Sequence, residues 1–560
     1  MDKPSLKQYF GDSSSQFFDE IGTTPSDMIE SVYLGNNETN PAAQDMSASV
    51  TQQKMPQEMT FSNVVPTVST SAALPAASLP DPSTFFDTIG PQTGAPVIGG
   101  ANPNYVTQAF EGLNIKNTPV DKEAERRRDA WIPSDEAKKT LMKAQSSPKG
   151  LFFPERDVQT MPGLLLEEEL KDGLQEVAVK YLGVSAAGIR SVVRAEHVPR
   201  DEAGLRELLR TGYLRAAVNL SAALLAAAGQ GAGRMGRPSR HTARSLQLWL
   251  ARFAVMARLR MYDPLVKEAA AFGDLDKPDM YYQFYPETYG NRTGTLVPFS
   301  LRLLLAEIPG HFGELEETLD KLYEILNVIR KMVRNLNEGK TEDGTGTVAD
   351  DDRRESLALW TGRETRVLHS VANCAMALKD YRLADEVLAG LAARAPSAAR
   401  RRALCSARGR MWLLAGHMRA ARAHLADAQR ARHELCPTAD VREYVDLGLL
   451  DVANGTYQEA YDNFARAAEQ EPTNVMVANN LSVCLLYMGR LKEAIAVLRR
   501  AVEADPERGL NESLLVNLCT LYELESSKTH EKKLDLLRTL CKYKSDTMPN
   551  VIECLKLTIS

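Results

Sequence analysis

The chain has 560 residues, 44% hydrophobic and 25% charged, with a formal net charge of −6. That length has room for three or four ordinary domains, and the slightly acidic balance gives no case for nucleic acid as the main partner. No run of about 18 apolar residues occurs, and the opening Met1-Asp2-Lys3-Pro4 leads into no hydrophobic stretch, which argues against a membrane span and a secretory signal.

Residues 1 to 120 contain no Arg, Cys, His or Trp, and twelve acids against four lysines leave them at −8. Too little apolar surface is available there to offset chain entropy, so the composition predicts a disordered, acidic, Ser/Thr/Pro-rich arm. Within it Phe17-Phe18-Asp19-Glu20-Ile21-Gly22 returns as Phe85-Phe86-Asp87-Thr88-Ile89-Gly90. An aromatic pair has no core to serve in a polar coil. It reads as a docking motif used twice, with Phe17, Phe18, Ile21, Phe85, Phe86 and Ile89 entering a partner's apolar pocket. The plainer alternative is chance duplication in low-complexity sequence.

From Asp121 the pattern predicts order. Residues 121–245 read as a helical lead-in, with apolar residues at helical spacing over Leu164 to Tyr181 and Glu202 to Ala228. Gly229-Gln230-Gly231-Ala232-Gly233 resembles a phosphate loop in composition only: no strand precedes it and no Gly-Lys-Ser/Thr follows. Residues 246–336 read as degenerate helical hairpins joined by the aromatic connection Asp279 to Pro286, expected to pack rather than hang free. Residues 337–355 read as an exposed acidic, Gly-rich loop, 356–506 as a repeat array, and 507–560 as a helical cap.

The array carries the clearest signal. Leu447, Gly455, Ala460, Ala467 and Pro472 recur 34 residues later as Leu481, Gly489, Ala494, Ala501 and Pro506. A period of that length, in this order of residue types, is that of the tetratricopeptide helix–turn–helix unit. Gly455 and Gly489 suit a tight turn with positive φ, the alanines let two helices approach, and the prolines end the second helix. The clearest repeats are expected at 441–474 and 475–508. The fold class predicted is an all-α, right-handed tetratricopeptide-repeat solenoid of about six helical hairpins behind a disordered arm.

Motifs for catalysis or metal binding are not found. His-Glu-x-x-His, Gly-x-Ser-x-Gly, Cys-x-x-Cys and Walker sequences are all missing, and His417 and His424, near Cys405 and Cys436 in sequence, lack metal-ligand spacing. No cofactor is expected. The seven widely spaced cysteines read as free thiols in a reducing compartment. Two candidate surfaces remain. The inner face of the exact repeats offers Met476, Asn479, Val483 and Leu486. The stretch Arg394 to Arg432 holds ten arginines against one acid, Asp427, so Arg400, Arg401, Arg402, Arg408 and Arg410 suggest a basic face for carboxylates or phosphates; a merely solvated face is the alternative. A carboxylate clamp of the kind used by co-chaperones would fall at His369 and Asn373, so a receptor for C-terminal peptides is a rival function. An enzyme with its centre in 121–240, around His197, is another.

Several irregular segments add to this: Arg128 to Ser134, Asp279 to Pro286, Val297-Pro298-Phe299-Ser300, Val477 to Tyr487 and Leu521 to Ser527. Together they resemble the trafficking protein particle (TRAPP) complex subunit 12 family over roughly residues 121 to 540. The resemblance implies a non-catalytic subunit of a Rab-exchange and vesicle-tethering complex in endoplasmic reticulum-to-Golgi transport, with links to autophagy and kinetochore assembly. Implied partners are the other TRAPP subunits, chiefly the large peripheral ones, COPII coat components and the motor CENP-E. The implied location is cytoplasmic, peripheral at the endoplasmic reticulum–Golgi intermediate compartment, and nuclear or kinetochore-bound in mitosis.

Overall fold

The computed structural model describes residues 122–148, 151–166, 168–188, 190–435, 438–526, 529–546 and 551–557. The arm with both Phe-Phe motifs, and Cys436, lie outside the described residues. Among these residues the chain is built of α-helices and short 3-10 turns, with three isolated bridges and no strand. The fold is the all-α solenoid that the 34-residue period predicts.

Helices α1 (Lys122–Asp129), α2 (Asp135–Ser146), α3 (Gly173–Leu182), α4 (Glu202–Thr211) and α5 (Leu214–Ala227) form the lead-in. Their starts are written in capping residues: Ser134 Oγ accepts from Ala137 N–H, Asp172 from Leu174 and Gln175 N–H, and Asp201 from Gly204 N–H. Helix α6 (Ala243–Arg258) is apolar nearly all round, so it is buried, with Trp249, Phe253 and Met256 fully enclosed. After α7 (Tyr262–Ala270), the aromatic connection packs inward as a pair of 3-10 turns. Met280, Tyr281 and Tyr282 are buried, and the Arg292 guanidinium covers the Tyr282 ring at 4.2 Å.

Helix α8 (Phe299–Glu307) leads to α9 (Leu315–Asn337), whose Leu322, Leu326, Ile329, Met332 and Leu336 bury one stripe at three- and four-residue spacing. Here the structure corrects the expected loop at 337–355. Helix α10 (Asp350–Ala377) already begins at Asp350, and Asp350, Asp351 and Asp352 fill its first turn, where acids offset the exposed N–H groups. Nor is the preceding turn all exposed. Glu342 is buried and accepts from Arg126 Nη1 at 2.6 Å and Ser356 Oγ at 2.6 Å.

The array continues as α11 (Tyr381–Ala393), α12 (Ala398–Leu414), α13 (Met418–His433), α14 (Val441–Asn454), α15 (Tyr457–Gln470), α16 (Val475–Tyr487) and α17 (Leu491–Ala504), then α18 (Glu512–Glu525) and α19 (His530–Tyr543). Neighbours in sequence are neighbours in space. Gly455 and Gly489 both take φ of 77° between the helices of their hairpins. Ala460, Ala467 and Ala494 are fully buried. A Cβ on Gly448 would meet the Phe464 ring at 2.8 Å, so α14 and α15 approach more closely than any side chain there allows.

Three apolar cores result. One runs from Trp131 to Met411, one joins residues between Leu413 and Cys484, and one joins α16 to the C-terminal residues. The last also takes in Leu174 and Ala178 of α3, so the C-terminal unit packs back on the lead-in. Arg190 spans the seam, paired with buried Asp172 at 2.7 Å and donating to the carbonyls of Cys541 and Lys544. Asp546 accepts from Arg215 and Ala216 N–H at the start of α5, and Arg260 grips Glu512 through both Nη atoms at 3.1 and 3.0 Å.

Candidate partner-binding surface

The residues singled out on the exact repeats are interior. Met476, Asn479, Val483 and Leu486 are each 2–4% exposed. Helix α16 is buried nearly all round, with both of its flanks taken by neighbours: Met476 joins one core, while Val483 and Leu486 join the next. Asn479 Oδ1 accepts from Asn517 Nδ2 at 2.9 Å, linking α16 to α18. Asn479 meets α18, Val483 and Leu486 lie in the core shared with it and Met476 in the core before, so none of the four is available to a partner.

Much of the basic run is engaged within the array. Arg408 holds Asp385 of α11 through Nε and Nη2 at 2.7 and 2.9 Å, and Arg402 holds Asp440. Arg410 is buried with its Nε 2.7 Å from Asp446, whose carboxylate also accepts from Ser406 Oγ. Arg401 pairs with Glu434, and Arg432 meets Glu443 at 2.6 Å; Arg400 is half-buried. The acids answering this run sit on α11, on α14 and in the approach to α14, outside the window in which one acid was counted. A free basic face over these arginines is therefore not what the structure contains. Arg402 and Arg408 act as bidentate cross-links between successive hairpins.

The clamp positions are closed too. His369 and Asn373 are buried in α10, and burial pushes the His369 imidazole down to about 3, with Arg366 and Arg400 adding to it. An uncharged, enclosed imidazole offers no grip for a terminal carboxylate. His424 lies 3.9 Å from Asp385 and from Asp427, yet no group of three or more potential ligands converges among the described residues. His197 is half exposed, and its Nδ1 accepts from Arg194 N–H at 3.2 Å. The six described cysteines are buried and unbridged. Burial pushes the Cys374, Cys484 and Cys519 thiols up to about 12, so they behave as small hydrophobes.

Sequence reasoning missed one polar cluster. Thr160 Oγ lies 2.5 Å from His241 Nε2 and donates to Asp279 Oδ2 at 2.8 Å, while Thr160 N–H donates to the same oxygen at 2.7 Å. Gln230 bridges His241 Nδ1 to Trp249 Nε1. Hydroxyl, imidazole and carboxylate in a row invite comparison with a nucleophile triad, but all three side chains are enclosed. Desolvation drives His241 down to about 4 and Asp279 up to about 6. The cluster is an enclosed knot between the 156–160 turn, the start of α6 and the aromatic connection. No spacing could reveal it, because Thr160 lies 81 residues from His241 and 119 from Asp279 in sequence.

Comparison with known proteins follows the same lines as the geometry. The tetratricopeptide repeat family matches residues 451–514. A mouse (Mus musculus) protein, trafficking protein particle complex subunit 12, is 36% identical over 437 residues, covering 78% of this chain and 54% of its own length. The human (Homo sapiens) protein of that name is 33% identical over 562 aligned positions, covering 99% of this chain and 72% of its own. The chain thus spans about half the length of the mouse relative. A crystal structure of a tetratricopeptide repeat protein from Parabacteroides merdae ATCC 43184 covers 53% of this chain and 98% of its own, at 16% identity and a TM-score of 0.31.

Proposed function

The chain belongs to the trafficking protein particle complex subunit 12 family, and from that premise we propose that it is a non-catalytic scaffold subunit of the trafficking protein particle complex. The observation carrying this reading is likeness to the human protein along 99% of the chain, irregular connectors included, where a repeat shared by many scaffolds would match the hairpins alone. A helical-repeat solenoid suits the role because it buries its apolar faces within itself and leaves long outer surfaces for partners.

In the finer reading, the subunit works in vesicle tethering between endoplasmic reticulum and Golgi, as a cytoplasmic, peripherally held protein. Autophagy and kinetochore assembly are further roles, with COPII components and CENP-E as contacts. The other subunits carry exchange chemistry on Rab GTPases, and this one holds them in place. Its arm, residues 1–120, supplies the Phe85-Phe86 docking motif to partners.

Affinity purification of the intact chain from cells, followed by quantitative mass spectrometry, tests the proposal. Co-isolation of other subunits of the complex supports it. Recovery of the chain alone, or with chaperones only, would sink it. Changing Phe85 and Phe86 to Ala should reduce recovery of partners held by the arm; unchanged capture removes that motif from the account.

A further inference from the structure

Beside the Arg394–Arg432 run, part of which is cross-linked inside the array, exposed positive charge also gathers on one loop. The loop 229–240 after α5 carries Arg234, Arg237 and Arg240 and no acid, and residues 232–238 are exposed. It is locked against the segment 151–164. Leu164 N–H donates to Gly231 O at 3.3 Å, Gly236 N–H to Met161 O at 3.1 Å, and Arg156 Nη2 to Gly236 O at 2.6 Å. A Cβ on Gly163 would lie 2.1 Å from Met235 N, so the two strips of backbone are in direct contact.

That contact sets bare apolar side chains beside the arginines. Phe152 turns inward, edge-on to Phe284 at 5.6 Å, and leaves Phe153 82% exposed. Phe284 in turn abuts Tyr285, whose ring lies under the Arg240 guanidinium at 5.6 Å. Phe153 and Met235 therefore share one surface with Arg156, Arg234, Arg237 and Arg240. Among the described residues none of these four arginines pairs with a carboxylate; Glu155, Asp157 and Glu287 are the nearest acids in sequence. An exposed aromatic side chain on a strip that also carries four guanidinium groups fits a segment that brings both apolar side chains and negative charge.

We propose that this surface is the docking site for the chain's own acidic arm, occupied by residues 12–30 with Phe17-Phe18-Asp19-Glu20 at their centre. Between Lys7 and Lys54 the arm holds seven acids, Asp12 and Asp19 among them, and no basic residue. That is the charge four guanidiniums call for. Phe17, Phe18 and Ile21 supply the apolar cover for Phe153 and Met235. About a hundred residues join Glu20 to Lys122, so reach does not limit contact, and covalent tethering lets weak contacts suffice through effective concentration. The second motif, Phe85-Phe86, lies in a stretch with fewer acids and is left for partners. Self-docking thus goes beyond the scaffold role, and it stands or falls separately from partner recovery.

Replacing Phe18 by the photo-crosslinking p-benzoylphenylalanine in the full chain tests this directly. The result expected is crosslinking within one chain, to residues 151–157 or 229–241. Its yield should drop at least about fivefold in the Arg234→Glu/Arg237→Glu variant, with the circular dichroism spectrum kept. An Asp19→Lys/Glu20→Lys variant should give the same drop without touching any described residue. Crosslinks placed elsewhere on the chain, or formed between chains, would overturn the proposal. So would flotation with phosphatidylserine vesicles that depends on Arg234 and Arg237 while crosslinking to the surface is missing, which would make the patch a membrane contact.

Discussion

Burying an ion pair leaves each partner dependent on the other. Arg252 and Glu268 are fully enclosed and doubly bonded, at 2.7 and 2.9 Å. Glu268 also accepts from Leu165 N–H, and Arg252 donates to Val218 O, so the pair ties the extended lead-in strip to α5 and α6. Removing one member strands the other charge. Glu268→Ala should cost about 3–5 kcal/mol, read as a lower urea midpoint, whereas the double change Arg252→Met/Glu268→Leu should cost far less. Equal losses in both would contradict this account. Backbone strain gives a second single-residue prediction. Lys379 takes a φ of 62° between α10 and α11, where Gly455 and Gly489 serve the exact repeats. A left-handed conformation costs an ordinary residue about 1–2 kcal/mol, and glycine returns part of that as chain entropy. Lys379→Gly should therefore stabilise by roughly 0.5–1 kcal/mol, a rise in denaturant midpoint with unchanged slope. Neither feature was legible beforehand. Arg252 and Glu268 look like ordinary helical charges, and Lys379 hides a turn that glycine would have announced.

At the level of elements, legibility followed the strictness of the repeat. Helices α14 to α17 keep the glycine, the small alanines and the proline at fixed spacing, and they are where the period could be counted. The earlier hairpins replace those marks: Arg260 stands at φ 56° where a glycine was to be expected, and paired charges such as Arg408–Asp385 do work that packing does elsewhere. The arginine-rich helices α12 and α13 misled for a physical reason: a charge count along the sequence cannot see acids contributed by the next hairpin. The knot of Thr160, His241 and Asp279 gives a pH prediction at this scale. His241 lies at about 4 in the fold against about 6.5 when unfolded, so its contribution is present above 6.5 and lost as pH falls through 4. Asp279 lies at about 6 against about 3.9 when unfolded, so its contribution is present below that value and lost as pH rises through 6. Between pH 4 and 6 the two proton uptakes oppose each other, and the knot should add little net slope. Asp279→Asn removes one side. Stability of that variant should fall more steeply than the parent's from pH 6 to 4, by up to about 1.4 kcal/mol per unit. Parallel urea midpoints for both proteins across that window would refute it.

On the scale of the whole molecule, the structure joins its ends. A solenoid is ordinarily a stack in which each unit touches only its neighbours. Here α3 lends Leu174 and Ala178 to the C-terminal core, and the Arg190 guanidinium reaches carbonyls more than 350 residues further on. No periodicity encodes such contacts, which is why residues 507–560 read simply as a cap. Closure changes how stability is shared: an end unit of an open stack frays independently, while units that hold each other across a seam open together. Arg190→Ala deletes the guanidinium that neutralises Asp172 and satisfies the Cys541 and Lys544 carbonyls, leaving a buried carboxylate without its cation, a defect worth about 3–5 kcal/mol. Hydrogen exchange in α3 and in residues 530–557 should then speed up together, while α14 to α17 stay protected. Exchange raised in α3 alone would mean that the two ends merely touch, and that each is held by its own neighbours as in an open stack.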